Sequence, residues 1–242
     1  MDPLEDKPKP HLNRIWEIDF FRGIALILMM LFHFLYDLHD FYNISIPSWN
    51  EFWYYEGKFS AILFMILAGI SSGFSKNNLR RGFKVFLIGM ILTLGSHVFM
   101  PSEYIRFGIL HLLGISMILY HFIKIIPLVW TTILSIVILI LGYVFDSMYI
   151  NTWLLIPFGL TNENFVSMDY YPLFPWFGVF LIGILVGKLF YKEKKSLFPQ
   201  PRFTGFFTFL GRHSLFIYLV HQPIFLLIVY LMINVISKSL SS

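Results

Sequence analysis

The chain has 242 residues, of which 57% are hydrophobic and only 13% charged, and its mean hydropathy is +0.70; this excludes an ordinary water-soluble domain and marks an integral membrane protein. The formal net charge is +4, so the distribution of the basic residues decides whether nucleic acid, anionic ligands or membrane topology accounts for it. There is no cysteine, which excludes disulfides, zinc-thiolate sites, iron–sulfur clusters and thiol nucleophiles and leaves serine, histidine and carboxylates as reactive groups.

The opening segment MDPLEDKPKPHLNR is polar and broken by prolines. It has no short apolar core before a small-residue cleavage site, so a secretory leader is not expected and residues 1–17 read as a cytoplasmic segment. Apolar stretches of bilayer length follow at 20–36, 58–75, 83–99, 105–123, 126–145, 172–191 and 213–236. They predict an all-α bundle of seven transmembrane helices, a multi-pass membrane protein forming one domain over 1–242. The segment FTGFFTFL at 203–210 reads as an interfacial helix leading into the last span.

Lysine and arginine then set the orientation. With the N-terminus inside, Lys7, Lys9, Arg14, Arg22, Lys76, Arg80, Arg81, Lys84, Lys124, Lys188, Lys192, Lys194, Lys195, Arg202 and Arg212 fall on the cytoplasmic side, and only Lys58, Arg106 and Lys238 fall outside. Topology thus explains most of the basic charge, and no nucleic-acid partner is expected. GISSG at 69–73 and GILVG at 183–187 are small-xxx-small patterns that let transmembrane backbones approach closely.

The first span carries the chemistry. Arg14 to Asp37 reads RIWEIDFFRGIALILMMLFHFLYD, and ionisable groups within a membrane cost roughly 2.5 to 3.5 kcal/mol each on insertion scales, so they persist where they pair or work. With Asp19 taken as zero, helical geometry places Arg22 at about 300°, His33 at about 320° and Asp37 back at about 0°, a single narrow stripe. His33 and Asp37 are four apart, so the carboxylate can accept from one ring nitrogen and leave the other as a base. Acyl transfer needs such a base near neutral pH when a hydroxyl or amine attacks a thioester. The plainer reading makes His33 a helix-to-helix hydrogen bond and Asp37 a solvated helix end.

Arg22 lies about 16 Å below His33 at the helical rise. A cation and a base at different depths suit acyl-CoA, whose phosphates can stay at the cytoplasmic mouth while the thioester reaches mid-membrane. Asp19 and Arg22, three apart, also neutralise each other. Arg80, Arg81 and Lys84, beside Lys76, are secondary candidates for phosphate contact.

Farther on, His111 in FGILHLLGIS and His221 in YLVHQP, the latter followed by a helix-kinking proline, are candidates to line the same cavity, although a lone membrane histidine more often bonds a neighbouring helix. Asp169 and Trp176, in DYYPLFPWFG, are candidates for an aromatic, acidic mouth that binds the acceptor, against the ordinary reading as interface anchors. A metal site on His33, Asp37 and His39 is disfavoured because 33 and 39 point to different helix faces, and no metal is expected. No G-x-S-x-G elbow, phosphate loop or dinucleotide fingerprint occurs.

The run R-x-x-x-x-D-x-x-R-G-I-A, with FHF ten residues after Arg22, resembles the opening of the transmembrane acyltransferase superfamily. HFLYD, SWN at 48–50, FGILHLLGIS, DYYPLFPWFG and GRHSLFIYLVHQPI resemble more closely its heparan-alpha-glucosaminide N-acetyltransferase-like group, over nearly the whole chain. The resemblance implies transfer of an acyl group, typically acetyl, from cytoplasmic acyl-CoA to an extracytoplasmic sugar, amine or hydroxyl acceptor. It matches the superfamily's first-helix histidine to His33 and its RGIA arginine to Arg22. The histidine just before SWN in the animal heparan enzyme has no counterpart, since Ile46 and Pro47 stand there. Two other classes stay open: a proton-coupled transporter using the Asp19, Arg22, His33 and Asp37 stripe as a relay, and a structural subunit whose stripe docks a partner helix. A homo-oligomer also stays open.

Overall fold

The computed structural model describes residues 14–240, and the expected cytoplasmic segment, with Lys7 and Lys9, falls largely outside that range. Among the described residues there are eight α-helices: α1 (Trp16–Tyr36), α2 (Tyr54–Phe74), α3 (Asn78–Phe99), α4 (Ile109–Ile123), α5 (Leu128–Asp146), α6 (Leu173–Phe190), α7 (Gly205–Arg212) and α8 (Ser214–Leu240). Six of them are long and apolar enough to cross a membrane, and α4 is a shorter apolar helix. The bundle is a multi-pass helical membrane protein, and α2, α4 and α6 pack on one another at its centre.

The outer surface is what lipid requires. Leu94 of α3, Ile140 of α5 and Phe216 of α8 are 65%, 57% and 68% exposed, while the largest fully buried side chains include Phe180, Leu181 and Ile184 of α6, Leu112 of α4 and Met65 of α2. The two small-residue motifs meet each other. A methyl group added at Gly69 would strike the Phe180 carbonyl, and one at Gly183 would strike the Ile66 carbonyl, so glycine is what lets α2 and α6 touch backbone to backbone.

The fourth span is shorter than its apolar stretch. Helix begins at Ile109 instead of near 105, and 15 residues reach only about 22 Å. Residues just before it are extended: Phe107 bridges Tyr170, and the Tyr171 N–H donates to the Phe107 carbonyl at 2.9 Å. Irregular backbone at membrane depth is tolerated where its polar groups are satisfied inside protein, and here the α5–α6 connection satisfies them. Asp169 accepts from the Ile109 N–H at 2.9 Å, supplying the first turn of α4 with an acceptor.

The expected interfacial helix is α7, and it does more than lead into α8. A methyl group on Gly23 would meet the Phe207 carbonyl, and one on Gly211 would meet the Asp19 carbonyl. These contacts run in opposite sequence order, so α7 lies antiparallel against the first half of α1. The chain then reverses at His213 and α8 returns along α1, bringing Gln222 to Asp37. A buried latch fixes this fold-back: the Glu17 carboxylate accepts from the N–H groups of Leu197 and Phe198 at 2.7 and 3.0 Å.

Candidate functional site

One cavity of about 1770 Å³ links Arg22 and His33, two of the four groups that the sequence singles out on α1. At its basic end the wall includes Arg22, Ser71, Arg81, Lys84 and Arg212. Met29, His33, Tyr218, His221 and Gln222 line it farther along α1 and α8, and Tyr149, Asp169, Tyr171 and Trp176 line its other end. The charge distribution assigns the basic end to the cytoplasm.

At the basic end, Arg22 donates to Asp19 Oδ1 at 3.1 Å and to Ser71 Oγ at 2.6 Å. The second oxygen of Asp19 faces Arg212 at 3.5 Å and Arg14 at 3.8 Å. One buried carboxylate therefore stands among three guanidinium groups, which leaves the mouth net positive and holds Arg22 extended toward the cavity. Asp19 is not in the wall; the structure makes it a counter-ion of the arginines instead of a contact for an anionic ligand. Arg80 is exposed and likewise absent from the wall, whereas Arg81 and Lys84 line it. Helical periodicity separates them, because Arg80 lies about 100° around α3 from Arg81.

In the middle, His33 Nδ1 donates to the Met29 carbonyl at 2.8 Å. A carbonyl only accepts, so Nδ1 carries the hydrogen and a neutral ring has its lone pair on Nε2. The expected His33–Asp37 hydrogen bond is not what forms. The imidazole leans back over the preceding turn, the direction in which helical side chains point, and takes the main-chain carbonyl there. Asp37 opens a π-helical turn spanning Asp37–Phe41 and is fully buried; its Oδ1 accepts from Gln222 Nε2 at 2.6 Å. It stands behind the wall, and Gln222 is the side chain that reaches it.

His221 approaches His33 edge to face, with 5.0 Å between ring centroids, and donates from Nδ1 to the Tyr218 carbonyl at 2.6 Å. His111 is elsewhere. Its Nδ1 accepts from the Gly108 N–H at 3.1 Å, its Nε2 lies 3.2 Å from Thr93 Oγ1, and it does not line the cavity. Both ring nitrogens are engaged at the start of α4 and its contact with α3, so the structure does not bring His111 to the cavity with the other candidates.

The far end is aromatic and acidic. Trp176 packs edge to face on Tyr171 at 5.3 Å, and Asp169 lies in the wall while capping α4. Burial pushes the Asp169 carboxyl up to about 6, partly offset by the Ile109 hydrogen bond. Trp49 of the SWN segment stacks on Phe32 at 5.8 Å and on His39 at 4.6 Å, fastening the first outer loop to α1. Gln222, Arg212, Tyr218 and Ser71 were not singled out for the site by sequence reasoning. Gln222 had one signal, its place beside His221 before a helix-kinking proline; Arg212 had only its charge, which topology already explained.

A family model described as heparan-alpha-glucosaminide N-acetyltransferase, catalytic, matches residues 14–223. No curated protein and no solved structure gives a match.

Proposed function

The chain belongs to the heparan-alpha-glucosaminide N-acetyltransferase catalytic family, a family of acetyltransferases, and on that premise we propose that it moves an acetyl group from acetyl-CoA, entering at the basic end, to an amine or hydroxyl of an extracytoplasmic acceptor such as a sugar, entering at the opposite end. The observation that carries this reading is the single cavity that passes from Arg22, Arg81, Lys84 and Arg212, along His33, to Asp169 and Trp176. Phosphates of the donor sit among the guanidinium and ammonium groups, for which arginine forks are well shaped. The thin pantetheine arm follows α1 outward to place the thioester beside His33.

His33 Nε2 is the base in this reading. It takes the proton from the attacking amine or hydroxyl as the new bond to the acyl carbon forms; the carbon–sulfur bond breaks and the thiolate leaves toward the cytoplasmic end, taking up a proton there. The Met29 carbonyl does the work usually given to a triad carboxylate, fixing the tautomer and stabilising the ring when it is charged. Purified protein in lipid nanodiscs, given labelled acetyl-CoA and a panel of small amines and sugars, is expected to bind the donor and transfer the label. A protein that neither binds nor turns over acetyl-CoA, yet moves a solute when a pH gradient is imposed, would overturn the proposal in favour of a proton-coupled transporter.

A further inference from the structure

Two features of the cavity wall have no part in the donor path. The first is an unzipped seam. α3 packs on α4, whereas α8 packs on α1, α7 and the π-helical turn, so these two helices both line the cavity without being packed on each other. Tyr218 is the α8 side chain that reaches across to the α2–α4–α6 core. The lips of the seam are hydrocarbon: Val85, Ile88 and Leu92 from α3, and Leu215, Leu219 and Leu226 from α8. Leu92 lies two helical turns, about 12 Å, outward of Lys84, which puts the seam at bilayer depth. Lipid chains are as apolar as leucine and are the solvent there, so a chain is what fills such a gap. Small-molecule sites usually enclose about 300 to 1,000 Å³, and 1770 Å³ leaves room for a second long ligand beside the donor.

The second feature is a cation where topology supplies few. Lys58 of α2 is one of three basic residues on the outer side, and it lines the cavity together with Tyr54. Its Nζ sits 4.4 Å from the centre of the Tyr54 ring, which holds the ammonium at the outer end of α2. Among the described residues it forms no ion pair. A charge in the wall, steadied by a ring and unneutralised, is complementary to an anion on whatever occupies the outer half of the cavity.

We propose that the outer half of the cavity takes a phosphate-headed lipid from the bilayer: its chain enters through the seam between α3 and α8, its phosphate rests on the Lys58 ammonium, and whatever the phosphate carries points toward Asp169 and Trp176. The seam admits any chain, so selection falls to the head group, and Lys58 favours a head with net negative charge over a neutral or cationic one. Only the assignment of this lipid as the acetyl acceptor rests on the acyltransferase reading; the binding preference stands by itself.

Binding is measured without acyl donor on the full chain in dodecyl maltoside, whose micelles hold no phosphate, by following tryptophan fluorescence, since Trp176 is in the wall. Dodecyl phosphate is expected to bind at least about tenfold more tightly than dodecanol or dodecyltrimethylammonium. Lys58→Met should weaken it by about tenfold or more and Lys58→Arg should keep it within about threefold of wild type, with the affinity for acetyl-CoA within about threefold in both. Leu219→Trp, which plugs the seam, should weaken dodecyl phosphate by about tenfold or more and leave propyl phosphate, which needs no seam, within about threefold. A wild type that binds dodecyl phosphate no better than dodecanol, unchanged binding in Lys58→Met, or a plug that weakens both phosphates alike or neither would each overturn the inference. So would a disulfide-linked dimer formed through Leu226→Cys, in a chain with no cysteine of its own, because a second copy would then close the seam. Selection of dodecyl phosphate by a protein that ignores acetyl-CoA would uphold the inference while defeating the acyltransferase reading.

Discussion

At His33 a main-chain carbonyl of the same helix stands where the proposed mechanism would otherwise call for a carboxylate. The Met29 carbonyl sits one turn back, where side-chain tilt already sends the ring, and its bond leaves Nε2 as the only basic nitrogen. His33→Gln keeps the size and a donor while removing the base, so kcat is expected to fall by about 10² to 10⁴, with the dissociation constant for acetyl-CoA nearly unchanged; single-turnover kinetics beside equilibrium binding check this, and unaltered kcat would exclude His33 as the base. Arg22 makes the complementary case. It is held by Asp19 and Ser71, and hydrogen bonds to charged groups contribute about 1.5 to 3 kcal/mol. Arg22→Met should therefore weaken acetyl-CoA by about 10- to 150-fold and leave acetyl-pantetheine, which lacks the phosphates, unaffected. Equal loss for both compounds would mean that Arg22 supports the fold and not the phosphates.

Two elements carry more than their sequences advertise. The α2–α6 contact depends on Gly69 and Gly183, each lying against a carbonyl of the facing helix. Gly183→Leu would force the helices apart beside the cavity, and overpacking costs typically 1 to 3 kcal/mol; a lower melting temperature in detergent is expected, with Gly73→Leu, whose site is open, as the tolerated control. The short helix α4 depends on Asp169. Its carboxyl is raised to about 6 by burial, so the folded state holds a proton that the unfolded chain releases near 3.8. Stability from this group is therefore greatest below the unfolded value, falls as pH rises through the interval up to about 6, and is level above it. Asp169→Asn keeps an oxygen for the Ile109 N–H and removes the titration. The melting temperature of wild type relative to Asp169→Asn should drop between about pH 4 and pH 6 and run parallel at higher pH; parallel curves throughout would show that the carboxyl is not desolvated.

On the scale of the whole molecule, the cavity joins a basic end to an aromatic, acidic one, and the positive-inside pattern gives each end a side of the membrane. In vesicles of defined orientation, acetyl-CoA should be consumed only when supplied to the face bearing Arg81 and Lys84, and the acceptor only when supplied to the face bearing Trp176. Consumption of both substrates from one face would refute the transmembrane arrangement.

The membrane class, six of the long spans, the common face of Arg22 and His33 and the family were legible in the sequence because each rests on local information: apolar length, helical period, or motif spacing. Apolar length misjudged the fourth span, since it does not tell a helix from an extended segment whose hydrogen bonds are met by a distant loop, as at Phe107 and Tyr171. Partners were not legible. Asp37 and Gln222 lie 185 residues apart, and Arg212 reaches the Arg22 mouth only because α7 doubles back along α1.

The sequence by itself determined which ionisable groups fall within apolar spans and that Arg22 and His33 lie on one face of the first helix, since periodicity and hydropathy are properties of neighbours along the chain. Tertiary structure alone decided which of them meet one cavity and what each holds there. Hydrogen bonds and close backbone contacts between distant segments form only where helices cross, and those crossings made Asp37 a partner of Gln222, His111 a cap, and Asp19 the shared counter-ion of three arginines.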